Sequence, residues 1–294
     1  MKQVVFISGK GGTGKSTVVA SLSLLVPNKI LADCDVDAPN LHLLLKGKRL
    51  QKEDYFGAEQ AVIDPAACIS CGLCRQVCRF DAVSEKPEIL PMKCEGCGAC
   101  VLACPAKAIS LQPVKTGETY VDSTVRGTFS HALLDIGAEG SGKLVTEVKE
   151  NLFAFVNGEE WAIVDGSPGI GCSVIASITG ADAVVAVCEP TKSGQSDMER
   201  VLGVARHFGI PAYVCINKCD LNPGIAAEIE AYCEKNGFPV IGKIPFEPKI
   251  VRALQSLQTP VEAGIHNVTY EIDRLWKRLR IELGARYTLR EVET

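Results

Sequence analysis

Short runs of β-branched and other apolar residues alternate with longer amphipathic stretches along most of this chain. Residues 4–8 read as a strand, residues 15–25 as a helix and residues 30–33 as a second strand. Strands are expected again at 132–136, 161–165, 183–189, 212–217 and 240–244, and helices at 143–149, 196–208, 225–235 and 270–283. These strands are apolar throughout instead of alternating with polar residues, the pattern of strands buried on both faces. The expected fold class is α/β, a mostly parallel sheet with helices on both faces.

From about residue 57 to residue 113 that rhythm stops. Helical periodicity is lost, Pro65, Pro87, Pro91, Pro105 and Pro113 cluster, and a repeat takes over. Cys68, Cys71, Cys74 and Cys78 are followed, 26 residues later at every position, by Cys94, Cys97, Cys100 and Cys104. The spacing C-x2-C-x2-C-x3-C is the signature of two-cluster bacterial ferredoxins, in which the fourth cysteine of each run ligates the other cluster. One [4Fe–4S] cube is then expected on Cys68, Cys71, Cys74 and Cys104, and a second on Cys94, Cys97, Cys100 and Cys78. Tetrahedral zinc sites use paired C-x2-C knuckles instead. Between the cysteines lie small residues (Ser70, Gly72, Gly96, Gly98, Ala99), which leave backbone N–H groups free to bond cluster sulfur. Cys104 is followed by Pro105 but Cys78 by Arg79, and a guanidinium beside that cube is expected to raise its potential. The organisation expected is a host domain in two parts, 1–56 and 114–294, interrupted by a small α+β ferredoxin-like domain at 57–113. A fifty-residue insert held by metal needs little apolar core.

With 294 residues, 47% of them hydrophobic, the chain can bury a large core. A net charge of −4 leaves no basic surplus for nucleic acid or an anionic membrane. The opening residues run straight into a strand, without an export signal, and no run of eighteen apolar residues follows. A cytoplasmic location without a stable membrane anchor is therefore expected, and there fourteen cysteines are thiols or metal ligands, not disulfides. Cys188 and Cys215 sit in apolar runs and read as packed hydrophobes.

Gly9, Lys10, Gly11, Gly12, Thr13, Gly14, Lys15, Ser16 and Thr17 fit G-x-x-x-x-G-K-[ST] between an expected strand and an expected helix, the context of a phosphate-binding loop. Its backbone N–H groups and the helix N-terminus cradle phosphate oxygens, Lys15 pairs with the β/γ-phosphates and the Ser16 hydroxyl ligates Mg²⁺. The additional lysine, Lys10, makes GKGGTGKST resemble the deviant Walker A loop of the MinD/ParA/Mrp/nitrogenase-iron-protein family. The resemblance extends over the whole host domain. It implies an ATPase that pairs with a second copy, or with a homologous ATPase, when ATP binds, Lys10 reaching the partner's nucleotide. ILADCDVDAPNL at 30–41 looks like that family's switch I. There Asp35 would orient the attacking water, with Asp33 and Asp37 near Mg²⁺, although the division of roles among the three is open. WAIVDGSPGIG at 161–171 looks like Walker B running into switch II, with Asp165 on the Mg²⁺ side. Asn217-Lys218-Cys219-Asp220 fits N-K-x-D, in which Asp220 would read guanine. In the family an asparagine at this strand end contacts adenine, which makes ATP the expected nucleotide, and Asp220 is otherwise a turn cap.

The chain is most similar to MinD-like ATPases with an inserted ferredoxin domain, a likeness in which GAEGSGKLVTEV at 137–148 shares. Three functions are consistent with these features. The first is an ATPase coupling dimerisation to electron transfer through two [4Fe–4S] clusters, with a protein redox partner. The second is an ATP-dependent metallocluster assembly or carrier factor, and eight ferredoxin-spaced cysteines favour stable redox clusters over labile cargo. The third is a positioning ATPase of the MinD/ParA kind, which needs a C-terminal membrane helix or DNA-binding basic residues. Here the helix expected at 270–283 has the pattern of one docked on its own domain, and the end of the chain, 286–294, is too polar to anchor. Cys172 lies seven residues after Asp165, where the nitrogenase iron protein places a ligand of a bridging cluster; the alternative is a packed or switch-linked thiol.

Overall fold

A computed structural model describes residues 1–284. The polypeptide divides into two compact units, one of residues 1–52, 119–133 and 139–294, the other of residues 53–118 and 134–138.

In the first unit, strand β1 (Lys2–Ser8) leads through the glycine loop to helix α1 (Lys15–Leu25), and β2 (Lys29–Asp33) leads to the short α2 (Leu41–Leu44). A nine-stranded sheet then collects β3 (Gly47–Tyr55), β6 (Gly117–Thr124), β7 (Gly127–Leu134), β8 (Trp161–Pro168), β9 (Ala183–Cys188), β10 (Ala212–Asn217) and β11 (Val240–Ile244), in the order β11-β10-β9-β1-β8-β2-β7-β6-β3. From β11 to β7 the pairings are parallel. β6 and β7 are separated by two residues, Val125 and Arg126, a length that only a hairpin can bridge. The strand expected at 132–136 is therefore the end of β7, and β3 and β6 were not legible as strands. β3 is exposed and charged along most of its length, as an edge strand should be.

Because successive side chains of a strand point to opposite faces, Val4 and Phe6 of β1 join one core and Val5 and Ile7 the other. The first face carries α1, α2, α9 (Lys249–Gln255) and α10 (His266–Glu282); the second carries α5 (Gly142–Phe153), α6 (Cys172–Ile178) and α7 (Lys192–His207). α8 (Pro223–Asn236) is clamped to α7 by Lys192–Glu228 at 2.5 Å and by Arg206 donating to the Asn236 carbonyl at 2.7 Å. Val268, Ile272, Leu275, Trp276 and Leu279 of α10 are all buried in the first core, and Trp276 meets Trp161 edge-on. This apolar face is consumed inside the fold. Residues 286–294 lie outside the described residues, and among those described no helix is long and apolar enough to cross a membrane.

The second unit follows the sequence repeat. α3 (Leu73–Val77) and α4 (Ala99–Ala103) start from Gly72 and Gly98, both with φ 75° and ψ 0°. Positive φ recurs in the same register at Ser70 and Gly96 and at Asp81 and Lys107. β4 (Ala58–Ile63) and β5 (Ile109–Val114) pair antiparallel. At Gly96 a side chain would run into the Glu59 carbonyl, so glycine is required there by space as well as by φ.

Two outcomes follow. Leu275→Ala should cost about 2–5 kcal/mol, since its side chain is fully enclosed, read as a lower denaturation midpoint. His131 is buried beside Asp122, and burial lowers its pKa from 6.5 to about 4. The unfolded chain therefore takes up a proton below pH 6.5 that the folded one refuses. Stability should fall by about 2 kcal/mol between pH 7.5 and 5, and His131→Gln should flatten that slope in denaturation curves.

Candidate functional site

Parallel strands deliver their C-terminal ends to one edge of the sheet, and the order around β1 places the site there. β1 lies between β8 and β9, so the chain leaves it to opposite sides, and ligands of open α/β sheets bind at such a point. Gly12 and Gly14 have φ 82° and 88°, which turn the glycine loop into the first turn of α1. The register aligns Asp33 of β2 with Asp165 of β8, and Phe6 of β1 with the same Asp165. Asp165 stands inside β8, which runs on to Pro168, and not at the strand end expected from sequence.

These pairings gather three carboxylates around one lysine. Lys15 Nζ lies 2.5 Å from Asp165 Oδ1 and 3.5 Å from Asp35 Oδ2. Burial disfavours its charge, but the Asp165, Asp35 and Asp33 carboxylates outweigh burial and hold its pKa above the usual value. Asp33 is fully buried and accepts the backbone N–H groups of Asp35, Asn40 and Leu41, each at 3.1 Å. Burial, followed by the charge of Asp165, pushes its carboxyl up to about 8. Its place is to fold the segment after β2. Asp35 is displaced upward as well, chiefly by burial, and lines the cavity that Asp33 does not. Asp37 is exposed and accepts the Gly140 N–H at 2.8 Å.

That cavity, of about 400 Å³, is walled by the glycine loop from Gly11 to Thr17, by Asp35 and Asn40, and by Leu43, Leu44, Leu254 and Leu257. Asp165 Oδ2 and Thr13 Oγ1 are buried without a hydrogen-bond partner. Lys10 Nζ donates to Ser193 Oγ of the same chain at 3.0 Å.

Beside it is a second cavity of about 210 Å³, bounded by Asn217, Lys218, Pro245, Phe246 and Glu247. Asn217 is occupied at both ends: its amide donates to the Thr13 carbonyl at 2.7 Å, and its oxygen accepts the Lys218 N–H at 3.0 Å. Asp220 takes the Phe246 N–H at 2.6 Å and does not border the cavity. Lys218 pairs with Glu189 and reaches the Gly12 carbonyl. The 245–247 segment was not singled out from sequence, and Lys218 only as part of the N-K-x-D run; the signal for the segment was the closely spaced Pro245 and Pro248 directly after an expected strand.

In the second unit the eight repeat cysteines sort into two groups. Cys68, Cys71, Cys74 and Cys104 line one cavity; Cys78, Cys94, Cys97 and Cys100 line another. The Ala82 and Ala108 N–H groups, 26 residues apart, point at Cys78 Sγ (3.4 Å) and Cys104 Sγ (3.3 Å), and Ala61 N–H points at Cys94 Sγ (3.5 Å). Burial raises the pKa of the Cys74 and Cys100 thiols. Arg79 is exposed and lines neither cavity. The guanidinium at the first cavity is that of Arg75, paired with Glu85 at 3.4 Å. Cys172 is exposed at the start of α6.

A glycine loop between a central parallel strand and a helix, with Lys15 facing buried carboxylates, defines a P-loop nucleotide-binding protein. Residues 4–261 match the CobQ/CobB/MinD/ParA nucleotide-binding domain, and the chain belongs to that family of P-loop ATPases. Two uncharacterised proteins of Methanocaldococcus jannaschii are similar to it. One is 36% identical over 75% of this chain and 79% of its own length, the other 31% identical over 81% and 91%. Among solved structures, the septum site-determining protein MinD of Pyrococcus horikoshii complexed with Mg-ADP superposes with a TM-score of 0.58 at 17% identity, covering 97% of this chain and 99% of that one. MinD in the MinC:MinD complex of Aquifex aeolicus superposes with a TM-score of 0.57 at 19% identity, covering 99% of both. At those identities the likeness is one of fold.

Asp165→Asn keeps the shape of the side chain but removes the charge facing Lys15. ATP hydrolysis, followed by phosphate release, should fall about a hundredfold or more while the thermal melt still shows a cooperative fold.

Proposed function

We propose that this ATPase is an iron–sulfur protein in which nucleotide-driven pairing of two copies, or of one copy with a homologous ATPase, is coupled to electron transfer through two [4Fe–4S] clusters. What carries this reading is the sorting of the eight cysteines, four and four, around two cavities. Each group takes three cysteines from one run and the fourth from the other, the exchange found in two-cluster ferredoxins.

The donor set suits the clusters. N–H groups aimed at Cys78, Cys94 and Cys104 favour thiolates and tune the potential of what they bind. Tyr55, Ala61, Ala82, Val83, Ala108 and Ile109 are buried in this unit, while Ile69, Phe80, Met92 and Leu102 are exposed. A core of that size needs internal cross-links, and four thiolates per cube are such links. Among the described residues no three His, Cys, Asp or Glu side chains converge as one metal ion would require. A cube takes one thiolate per iron and keeps its four sulfurs apart. When bound, such clusters supply reversible one-electron storage.

At the nucleotide site, the glycine-loop N–H groups and Lys15 hold the phosphates of ATP, and the three donors of Lys15 are shared with Asp165 and Asp35. Ser16, Asp35 and Asp165 would hold Mg²⁺, for which Asp165 Oδ2 offers a buried acceptor without a protein partner. Bound Mg²⁺ neutralises phosphate charge. Asp35, on the cavity wall, is the residue to orient the attacking water. Water adds to the γ-phosphorus as the bond to the β,γ-bridging oxygen breaks, leaving ADP and inorganic phosphate. Leu254, Leu257 and the 245–247 segment offer an apolar bed for the base. For Lys10 to reach a partner's nucleotide it must give up only an exposed hydrogen bond to Ser193, a cost of about 0.5–1.5 kcal/mol. New phosphate contacts exceed that.

The chain itself supplies a route for coupling. Asp135 N–H binds the Thr116 carbonyl within the second unit, and five residues later Gly140 N–H binds Asp37, next to the nucleotide site. A short covalent segment joins Gly140, held by Asp37, to the cysteine-bearing unit, and in the proposed coupling it would carry a movement of Asp37.

Protein purified without oxygen should contain about eight iron and eight sulfide per chain. Its redox titration should shift by about 60 mV or more, tenfold in a one-electron equilibrium, when a non-hydrolysable ATP analogue and Mg²⁺ are added. Absence of iron would overturn the whole reading. Identical curves with full iron would overturn nucleotide control of the potential.

A further inference from the structure

One buried charge has no part in the chemistry above. Lys149 of α5 is 6% exposed, and its ammonium faces carbonyl oxygens, not a carboxylate. It donates to Ala176 O at 3.2 Å, Ser177 O at 3.0 Å and Thr179 O at 2.6 Å, the C-terminal carbonyls of α6. Three donors thus meet three acceptors that a seven-residue helix leaves unpaired, at the end where its dipole is negative. Desolvating an ammonium is expensive, and a leucine or methionine would fill the same volume without that cost. Packing alone therefore does not account for a lysine here.

From α6 a chain of hydrogen bonds leads back to the nucleotide site. Ser177 Oγ donates to Ser173 O at 2.7 Å and accepts the Ser167 N–H at 3.3 Å. Ser167 Oγ donates to Cys34 O at 2.5 Å, and Cys34 N–H donates to Asp165 O at 2.7 Å. Cys34 directly precedes Asp35, and Ser167 lies two residues after Asp165. The ends of β2 and β8, which carry the carboxylates around Lys15, are therefore tied to each other through Ser167. Ser167 is tied through Ser177 to a helix that Lys149 pins.

We infer that Lys149, acting through Ser177 and Ser167, is a positioning residue for ATP hydrolysis: it fixes α6 so that Asp35 and Asp165 keep their spacing across β2 and β8. With α6 held, rearrangement in response to the γ-phosphate is confined to residues 168–171, where Gly169 has φ 91°. Lys149 does not line the nucleotide cavity. It acts on the placement of the groups that do. The inference rests on the ATPase activity and is independent of the clusters.

The test is steady-state ATP hydrolysis and binding of a fluorescent ATP analogue, on the full chain, for Lys149→Met, Lys149→Arg, Ser167→Ala and the Lys149→Met/Ser167→Ala pair. Lys149→Met should lower kcat about tenfold or more with KM and analogue affinity within about twofold, because the defect lies in alignment and not in phosphate binding. Lys149→Arg, which keeps the donors, should recover most of that loss. The pair should be no slower than the worse single variant, since both break one chain of contacts. Wild-type kcat in Lys149→Met, or KM and kcat impaired alike in all variants, would overturn the assignment. If Lys149→Met does not fold, Ser167→Ala decides: a kcat-only loss supports the chain of contacts, and wild-type turnover overturns it.

Discussion

The nucleotide site depends on burying acidic side chains next to one another. β2 and β8 run parallel in a register that sets Asp33 against Asp165, and both carboxylates are fully enclosed. Two buried carboxylates repel and lose their hydration, which is why the carboxyl of Asp33 is raised to about 8. The arrangement is tenable because Lys15, in the first turn of α1, pairs with Asp165, and because three backbone N–H groups converge on Asp33. The glycine loop is thus more than a phosphate cradle. By turning α1 so that Lys15 points back over the sheet, it supplies the cation that lets the strand ends lie together. Hydrolysis and fold stability therefore draw on the same ion group.

The cysteine-bearing unit has a different basis. Its two halves repeat in conformation as well as in sequence, down to left-handed residues 26 positions apart and N–H groups aimed at equivalent sulfurs. Those conformations bend the backbone around each cysteine run, and Cys78 and Cys104 each line the cavity of the other run. Few apolar side chains are enclosed in this unit, so its apolar core is small. The sheet of the first unit follows the opposite rule. It is dense with buried Val, Ile and Ala, and the insertion leaves it from the edge strand β3 and returns at the neighbouring β6, away from the central strands.

Legibility followed the range of the interactions. The glycine loop, the alternation of apolar strands with helices and the cysteine spacing are local patterns, and each could be read with its residues numbered. β3 and β6 could not: β3 is an exposed, charged edge strand, and β6, though largely buried, mixes Glu118, Thr119 and Asp122 with Tyr120 and Val121, so no run of apolar residues marks either. α6 was hidden by its shortness, and the end of β7 was misplaced because the apolar run continues to Ile136, which is fully exposed. The three aspartates after β2 looked equivalent in sequence. Only the packed backbone separates them, Asp33 turned into hydrogen bonds, Asp35 on the cavity wall, Asp37 outward to Gly140.

By itself the sequence determined that this is a P-loop α/β chain interrupted by a twofold cysteine repeat, because spacing along the backbone suffices for a phosphate loop and for a ligand run. The tertiary structure decided which carboxylate faces the cavity, that Asn217 braces the Thr13 carbonyl, that Asp220 holds Phe246 and that Lys149 caps α6. The last three of those choices are made by hydrogen bonds between residues distant in the chain. No local pattern records which donor will meet which acceptor once the strands are in register.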